Sequence, residues 1–233
     1  MRFVTAGGHL LEYERIDGNA GAPPLVFLHE GLGSVAMWRD FPTKLAAASG
    51  CPAVVYSRYG YGRSEPLRAP HDVHYMHREA LEALPDLRAA LGLEDVILVG
   101  HSDGASIALI HAGSGRWPVR AVVIEAPHVL VEDASVASIA AARTAYETTD
   151  LRQRLARYHA DVDSAFRGWN DIWLHPDFRT WNIESVLPGV HCPVLAIQGA
   201  DDEYGTLAQL DAIERAVAGR FERLVLPGCK HSP

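Results

Sequence analysis

The segment Ile97-Leu-Val-Gly-His-Ser-Asp-Gly-Ala-Ser-Ile-Ala-Leu-Ile110 constrains this chain more than any other. Ile97 to Val99 are apolar and partly β-branched, as a buried strand requires. Ala105 to Ile110 are small or apolar, as the packed side of a helix requires. Between them Ser102 occupies a tight bend, with Gly100 two residues before it and Gly104 two after. A side chain at either flank would strike the strand or the helix. The bend lifts the serine hydroxyl out of the sheet, and the next helix aims its N-terminal N–H groups at the same place. This spacing, Gly-x-Ser-x-Gly between a strand and a helix, predicts a nucleophile.

A serine hydroxyl reacts poorly unless a base accepts its proton and a third group orients that base. In a sheet of this kind the partners follow in the order serine, acid, histidine. The strand at 193–198 is followed by Asp201 and Asp202, and the strand at 221–226 by His231. Both turns fall on the same sheet edge as Ser102. The N–H of Asp103, next after the nucleophile, is a predicted oxyanion donor.

Elsewhere the chain alternates strands and helices. Strands are expected at 9–16, 23–29, 52–57, 95–99, 119–126, 192–199 and 221–227. Helices are expected at 35–48, where Pro42 interrupts or restarts the helix, at 74–91 with a kink at Pro85, after Gly104, and near 206–217. Such alternation predicts a mostly parallel α/β sheet covered on both faces. Residues 129–187 break the rhythm. They carry no convincing strand, but they hold helical segments and Trp169, Trp173 and Trp181. A helical insertion there lies over the strand ends, where open α/β sheets bind ligands. It reads as a cap over a pocket, its tryptophans either lining the pocket or filling a core. The core is then 1–128 with 188–233.

Several classes are disfavoured. The 233 residues suit one domain, 48% of them apolar, and the formal net charge of −8 argues against nucleic acid. No apolar run is long enough to span a bilayer, and the N-terminal residues lack the apolar stretch of a signal peptide. Cys51, Cys192 and Cys229 are too few and too scattered for a disulfide framework, which fits a reduced, cytoplasmic location. No ligand spacing points to a metal, and the chemistry needs no cofactor. The expected partner is a small-molecule substrate; oligomeric state is not legible.

The motifs FLHEGLGS (27–34), SRYGYGRS (57–64), GHSDG (100–104), QGADDEYG (198–205) and CKHSP (229–233) resemble those of the α/β-hydrolase superfamily, in its capped esterase and carbon–carbon hydrolase branch. The resemblance covers nearly the whole chain and implies the α/β-hydrolase fold. Its Gly-x-x-Asp pattern selects Asp202, with Asp201 second, and its closing His-x-Pro selects His231. It makes Gly31 the second oxyanion donor and gives His29 and His101 packing and loop-support roles. It also implies a final helix after His231 that these residues do not include, so His231 is expected on a frayed end. Where the family has glycine after the histidine, this chain has Glu30, whose carboxylate should be turned away, paired or protonated. Glu30, His128 and Trp169 are candidate substrate contacts, and Cys229 is expected to be a buried, inert thiol. If Glu30 or Asp103 faces the pocket, neutral or amine-bearing esters should be preferred over those carrying a carboxylate.

The expected activity is hydrolysis of a small carboxylic ester or thioester through an acyl-enzyme on Ser102. Two alternatives stay open. One is a carbon–carbon hydrolase of ring-cleavage diketones, needing cations such as Arg58, Arg63 or Arg143. The other is a non-catalytic binding protein on the same fold.

Overall fold

The computed structural model describes residues 1–233. Eight strands form one sheet: β1 (Arg2–Ala6), β2 (His9–Ile16), β3 (Leu25–Leu28), β4 (Ala53–Tyr56), β5 (Val96–His101), β6 (Val119–Glu125), β7 (Val194–Gly199) and β8 (Phe221–Leu226). Their order is β1-β2-β4-β3-β5-β6-β7-β8. The β1–β2 and β2–β4 pairs are antiparallel and the remaining pairs parallel. The central strands are uniformly apolar because both faces are covered. Val26, Leu28, Val54, Tyr56 and Leu98 enter one core; Leu25, Phe27, Ala53, Val55 and Val99 enter the other. The period-two alternation of a strand sends neighbours to opposite layers.

The helices are α1 (Phe41–Ser49), α2 (Tyr75–Arg78), α3 (Leu84–Leu91), α4 (Asp103–Gly113), α5 (Asp133–Thr148), α6 (Leu151–Leu155), α7 (Val162–Trp173) and α8 (Ala208–Ala216). The helix expected over 35–48 is two pieces. A 3₁₀ turn, Val35–Trp38, ends at Arg39, which has φ 54°, and α1 restarts with Pro42 in its first turn. The segment 75–91 is continuous but not uniform. A π-helical stretch, Glu79–Ala83, joins α2 to α3 just ahead of Pro85 and absorbs its missing N–H.

Between β6 and β7 there is no strand, only helices and an isolated bridge from Leu130 to Asn182. That bridge, with Ile183 N–H donating to Val129 O at 2.8 Å, forms a stem. Beyond it, the turn Glu184–Gly189 packs on α4: a Cβ on Gly189 would lie 2.1 Å from Gly113 O. No helix is long and apolar enough to cross a membrane.

Candidate active site

Ser102 follows the last residue of β5 and precedes α4, with φ 53° and ψ −116°. This is left-handed backbone, strained for any residue with a Cβ. The flanking glycines permit it. A Cβ on Gly104 would lie 1.9 Å from Leu28 O, and one on Gly100 would lie 2.4 Å from Gly104 O. The elbow therefore has three backbone segments in contact where side chains cannot fit.

The strand ends bring the expected partners to it. His231 Nε2 lies 3.0 Å from Ser102 Oγ, and His231 Nδ1 lies 2.8 Å from Asp202 Oδ1. Asp202 Oδ1 also accepts from the N–H groups of Tyr204 (2.8 Å) and Gly205 (3.3 Å), and its Oδ2 from Gln198 Nε2 (3.2 Å). With the carboxylate acting as acceptor throughout, His231 carries its proton on Nδ1 and leaves Nε2 to accept from the serine. Burial acts to raise the Asp202 pKa, but the bond from His231 and its other donors outweigh it, and the carboxyl stays below its ordinary range. Asp201 is exposed, and its N–H donates to Cys229 O at 2.9 Å; no bond joins its side chain to His231.

His231 is not frayed. Its N–H donates to Glu203 Oε2 (3.2 Å), and its carbonyl accepts from His101 Nε2 (2.7 Å). Gly199, at the end of β7, lets the last loop close in: a Cβ there would lie 2.2 Å from the carbonyls of both Cys229 and Lys230. These contacts hold the loop independently of any following helix. Cys229 corrects a second expectation, since its thiol is only partly buried.

A family model described as "Alpha/beta hydrolase family" matches residues 25–233. The chain belongs to that family. A proline iminopeptidase of Heyndrickxia coagulans is 29% identical over 126 residues, 54% of this chain and 42% of that one. The chain thus spans less than half the length of this curated relative. A solved carboxylesterase of Nitrososphaera gargenis superposes with a TM-score of 0.77 at 20% identity, covering 99% of this chain and 91% of that one. The enol-lactonase of Burkholderia xenovorans LB400 gives 0.71 at 20% identity, covering 96% and 91%. At such identities the structural likeness speaks to the fold.

In this alpha/beta hydrolase a cavity of about 420 Å³ opens on Ser102. Glu30, Gly31, His128 and Trp169 line it with Ser102 and His231. Leu32, Ile139 and Trp173 supply apolar wall, and Glu203, Tyr204 and Lys230 were not foreseen as lining. Of the three tryptophans of the helical insertion, Trp169 and Trp173 line this cavity and Trp181 packs in the core. The N–H groups of Gly31 and Asp103 donate to no protein acceptor, which leaves both free for a ligand oxygen. Gly31 packs so closely on α7 that a Cβ would lie 2.1 Å from Trp169 Nε1. No group of three or more His, Cys, Asp or Glu side chains is arranged to hold a metal ion.

The two acidic residues flanking these N–H groups behave differently. The Glu30 carboxylate curls over Gly33, where a Cβ would lie 2.4 Å from Oε2, and lies 3.6 Å from His101 Nδ1. Burial acts to raise its pKa, but His101 beside it outweighs that and holds it at about 2. Glu30 is thus ionised, paired and still on the cavity wall. The Asp103 side chain does not face the cavity. It is fully buried, accepting from Tyr75 Oη (2.7 Å) and Trp173 Nε1 (3.2 Å), with Arg58 Nη2 at 3.9 Å. Burial raises its pKa above the ordinary carboxylate range.

His128 is buried, and its Nδ1 has no partner. Burial drives its pKa down to about 3, so the ring is neutral at ordinary pH. His29 supports the loop, donating from Nδ1 to Glu30 O (2.7 Å) and accepting at Nε2 from Arg58 N–H (3.0 Å). None of Arg58, Arg63 and Arg143 lines the cavity. Arg58 is buried behind the elbow, and Arg143 binds Asn170 and Asp171. Gln198, which ties Asp202 to Gly205 O (2.8 Å), was missed; its one signal was a polar residue closing an apolar strand.

Proposed function

We propose that this hydrolase cleaves a small carboxylic ester or thioester by acyl transfer through Ser102. The observation that carries the reading is the unbroken chain Ser102–His231–Asp202, at 3.0 and 2.8 Å, opening on a cavity. His231 Nε2 takes the proton of Ser102 as Oγ attacks the carbonyl carbon. Asp202 stabilises the resulting imidazolium and keeps its tautomer. The N–H groups of Asp103 and Gly31 hold the oxyanion. His231 returns the proton to the leaving alcohol or thiol, then removes one from water, which releases the acid and restores Ser102 Oγ–H. Glu30, His128 and Trp169 contact the substrate, and the helical residues 129–187 act as a cap over it.

A fluorophosphonate should label Ser102, and Ser102→Ala should abolish both labelling and turnover of p-nitrophenyl esters while leaving the thermal unfolding midpoint in place. A Ser102→Ala protein that still turns over at near the parental rate overturns the serine mechanism. Assaying a ring-cleavage diketone in parallel separates carbon–carbon hydrolysis; the positions of Arg58, Arg63 and Arg143 weigh against it. A second reading, release of N-terminal proline, is favoured by similarity to the proline iminopeptidase over 126 residues, and proline p-nitroanilide tests it.

A further inference from the structure

We propose that His101 is the positioning residue for the base: its Nε2–H grips the His231 backbone carbonyl, while Glu30 on its other side neutralises it. This rests on the reading of Ser102 and His231 as nucleophile and base. The geometry is specific. His101 is adjacent to Ser102 at the end of β5, yet its ring reaches 130 residues along the chain to His231 O at 2.7 Å. One short backbone segment therefore sets both reacting groups, Ser102 through its own bend and His231 through the neighbouring ring.

A carbonyl only accepts, so His101 Nε2 must carry a hydrogen. Nδ1 then faces Glu30 Oε2 at 3.6 Å, the arrangement of an imidazolium beside a carboxylate. The ring is walled by Trp38, 6.4 Å away between centroids, and by His231 at 5.2 Å, and the carboxylate of Glu125 on β6 acts on it. Burial acts to lower the His101 pKa, but Glu30, the His231 carbonyl and Glu125 outweigh it and the pKa is raised. The pair also gives Glu30 a place. An unpaired carboxylate on the cavity wall would oppose the developing oxyanion, and an unpaired His101 cation would oppose protonation of His231. Together they cancel. The other groups facing His231 are Asp202, Glu203, Tyr204 and the neutral ring of His128.

The test is the rate of phosphonylation of Ser102 by a fluorophosphonate, measured against pH for the parent, His101→Phe, His101→Gln and the double variant His101→Phe/Glu30→Gln. His101→Phe should slow labelling on the order of 10–100-fold, because the base is no longer held in place. His101→Gln, whose amide can still donate to the carbonyl, should recover most of the rate. In His101→Phe the uncompensated Glu30 favours protonated His231, so the acid limb should move to higher pH. Adding Glu30→Gln should return the limb without restoring the rate. A parental rate in His101→Phe, no advantage of Gln over Phe, or a limb that the double variant leaves displaced overturns the proposal. Absence of labelling in the parent instead overturns the hydrolase reading. Nitrogen-15 NMR of the unmutated protein decides the matter even if His101→Phe does not fold. A His101 ring with hydrogen on Nε2, and on both nitrogens at neutral pH, is expected; hydrogen on Nδ1 alone overturns the proposal.

Discussion

Asp201 and Asp202 are adjacent and chemically identical, and only their surroundings separate them. Asp202 accepts from His231 and three further donors, whereas Asp201 is exposed with no side-chain bond to the base. Asp202→Asn should lower kcat by up to ~10⁴, because an amide in this place favours the wrong imidazole tautomer. Asp201→Asn should stay close to the parent, and the reverse ranking in a steady-state assay would reassign the acid. Because Asp202, despite its burial, is held below the ordinary carboxylate range, chiefly by its bond from His231, its protonation should limit kcat/KM only in solution more acid than a free aspartate needs. An acid limb at or above the ordinary carboxylate range that disappears in Asp202→Asn speaks against this. Glu30 supplies a separate test of stability. Its folded pKa of about 2 lies below the unfolded value of ~4.3, so its contribution is present above that value and fades as pH falls toward 2. Glu30→Gln should cost about 1–3 kcal/mol near pH 6, lowering Tm by several degrees, and only about a quarter of that near pH 2.5. Thermal melts of both proteins across pH check the sign.

At the scale of elements, the site depends on contacts that only glycine permits. The N-terminal turn of α4 packs against the end of β3, with the Gly104 position 1.9 Å from Leu28 O for any added Cβ. Gly104→Ala should cost ~3 kcal/mol or more, since the obstacle is backbone in the central sheet. Gly92, by contrast, has positive φ, 68°, and nothing within 4 Å, so Gly92→Ala should cost only ~1–2 kcal/mol. Urea unfolding of the two variants tests that order. Helix α7 shows the converse. Its apolar side carries Phe166, Trp169 and Trp173, within the stretch where the sequence indicated helical segments. Trp169 stands at the Ser102 cavity, where a substrate contact was expected; that Trp173 joins it there, with its Nε1 also bonding Asp103, was not legible, because tryptophan serves a core and a pocket wall equally well. Likewise, the sequence placed the irregularity of this helix at Pro85, but not the π-helical stretch Glu79–Ala83 just ahead of it, because a widened turn has no residue signature of its own.

For the molecule as a whole, the net charge of −8 suggests repulsion of anionic substrates, but distant charges are screened within ~8 Å at physiological salt. The local balance decides. Asp103 is turned inward, Glu30 is paired with His101, and the cavity lining includes both Lys230 and Glu203. Among matched esters ending in methyl, ammonium or carboxylate, kcat/KM should therefore favour ammonium over carboxylate by less than about tenfold, and Asp103→Asn should leave the ratio unchanged. A ratio that collapses in Asp103→Asn would show that this side chain reaches the substrate after all. What the sequence by itself determined was the layered α/β sheet, the elbow at Ser102, and the order in which an aspartate, Asp201 or Asp202, and then His231 follow it. These are written in local patterns: alternating apolar runs, glycines at fixed offsets, and turns at strand ends. What only the tertiary structure decided was the facing of side chains brought together across long separations. The Asp103 carboxylate turned toward Tyr75 and Arg58, Gln198 holding Asp202, and the Glu30–His101–His231 chain are such cases. A strand-and-turn pattern places a backbone, but which neighbour a polar side chain meets depends on where burial leaves a donor or acceptor free to pair, and that is a property of the packed molecule.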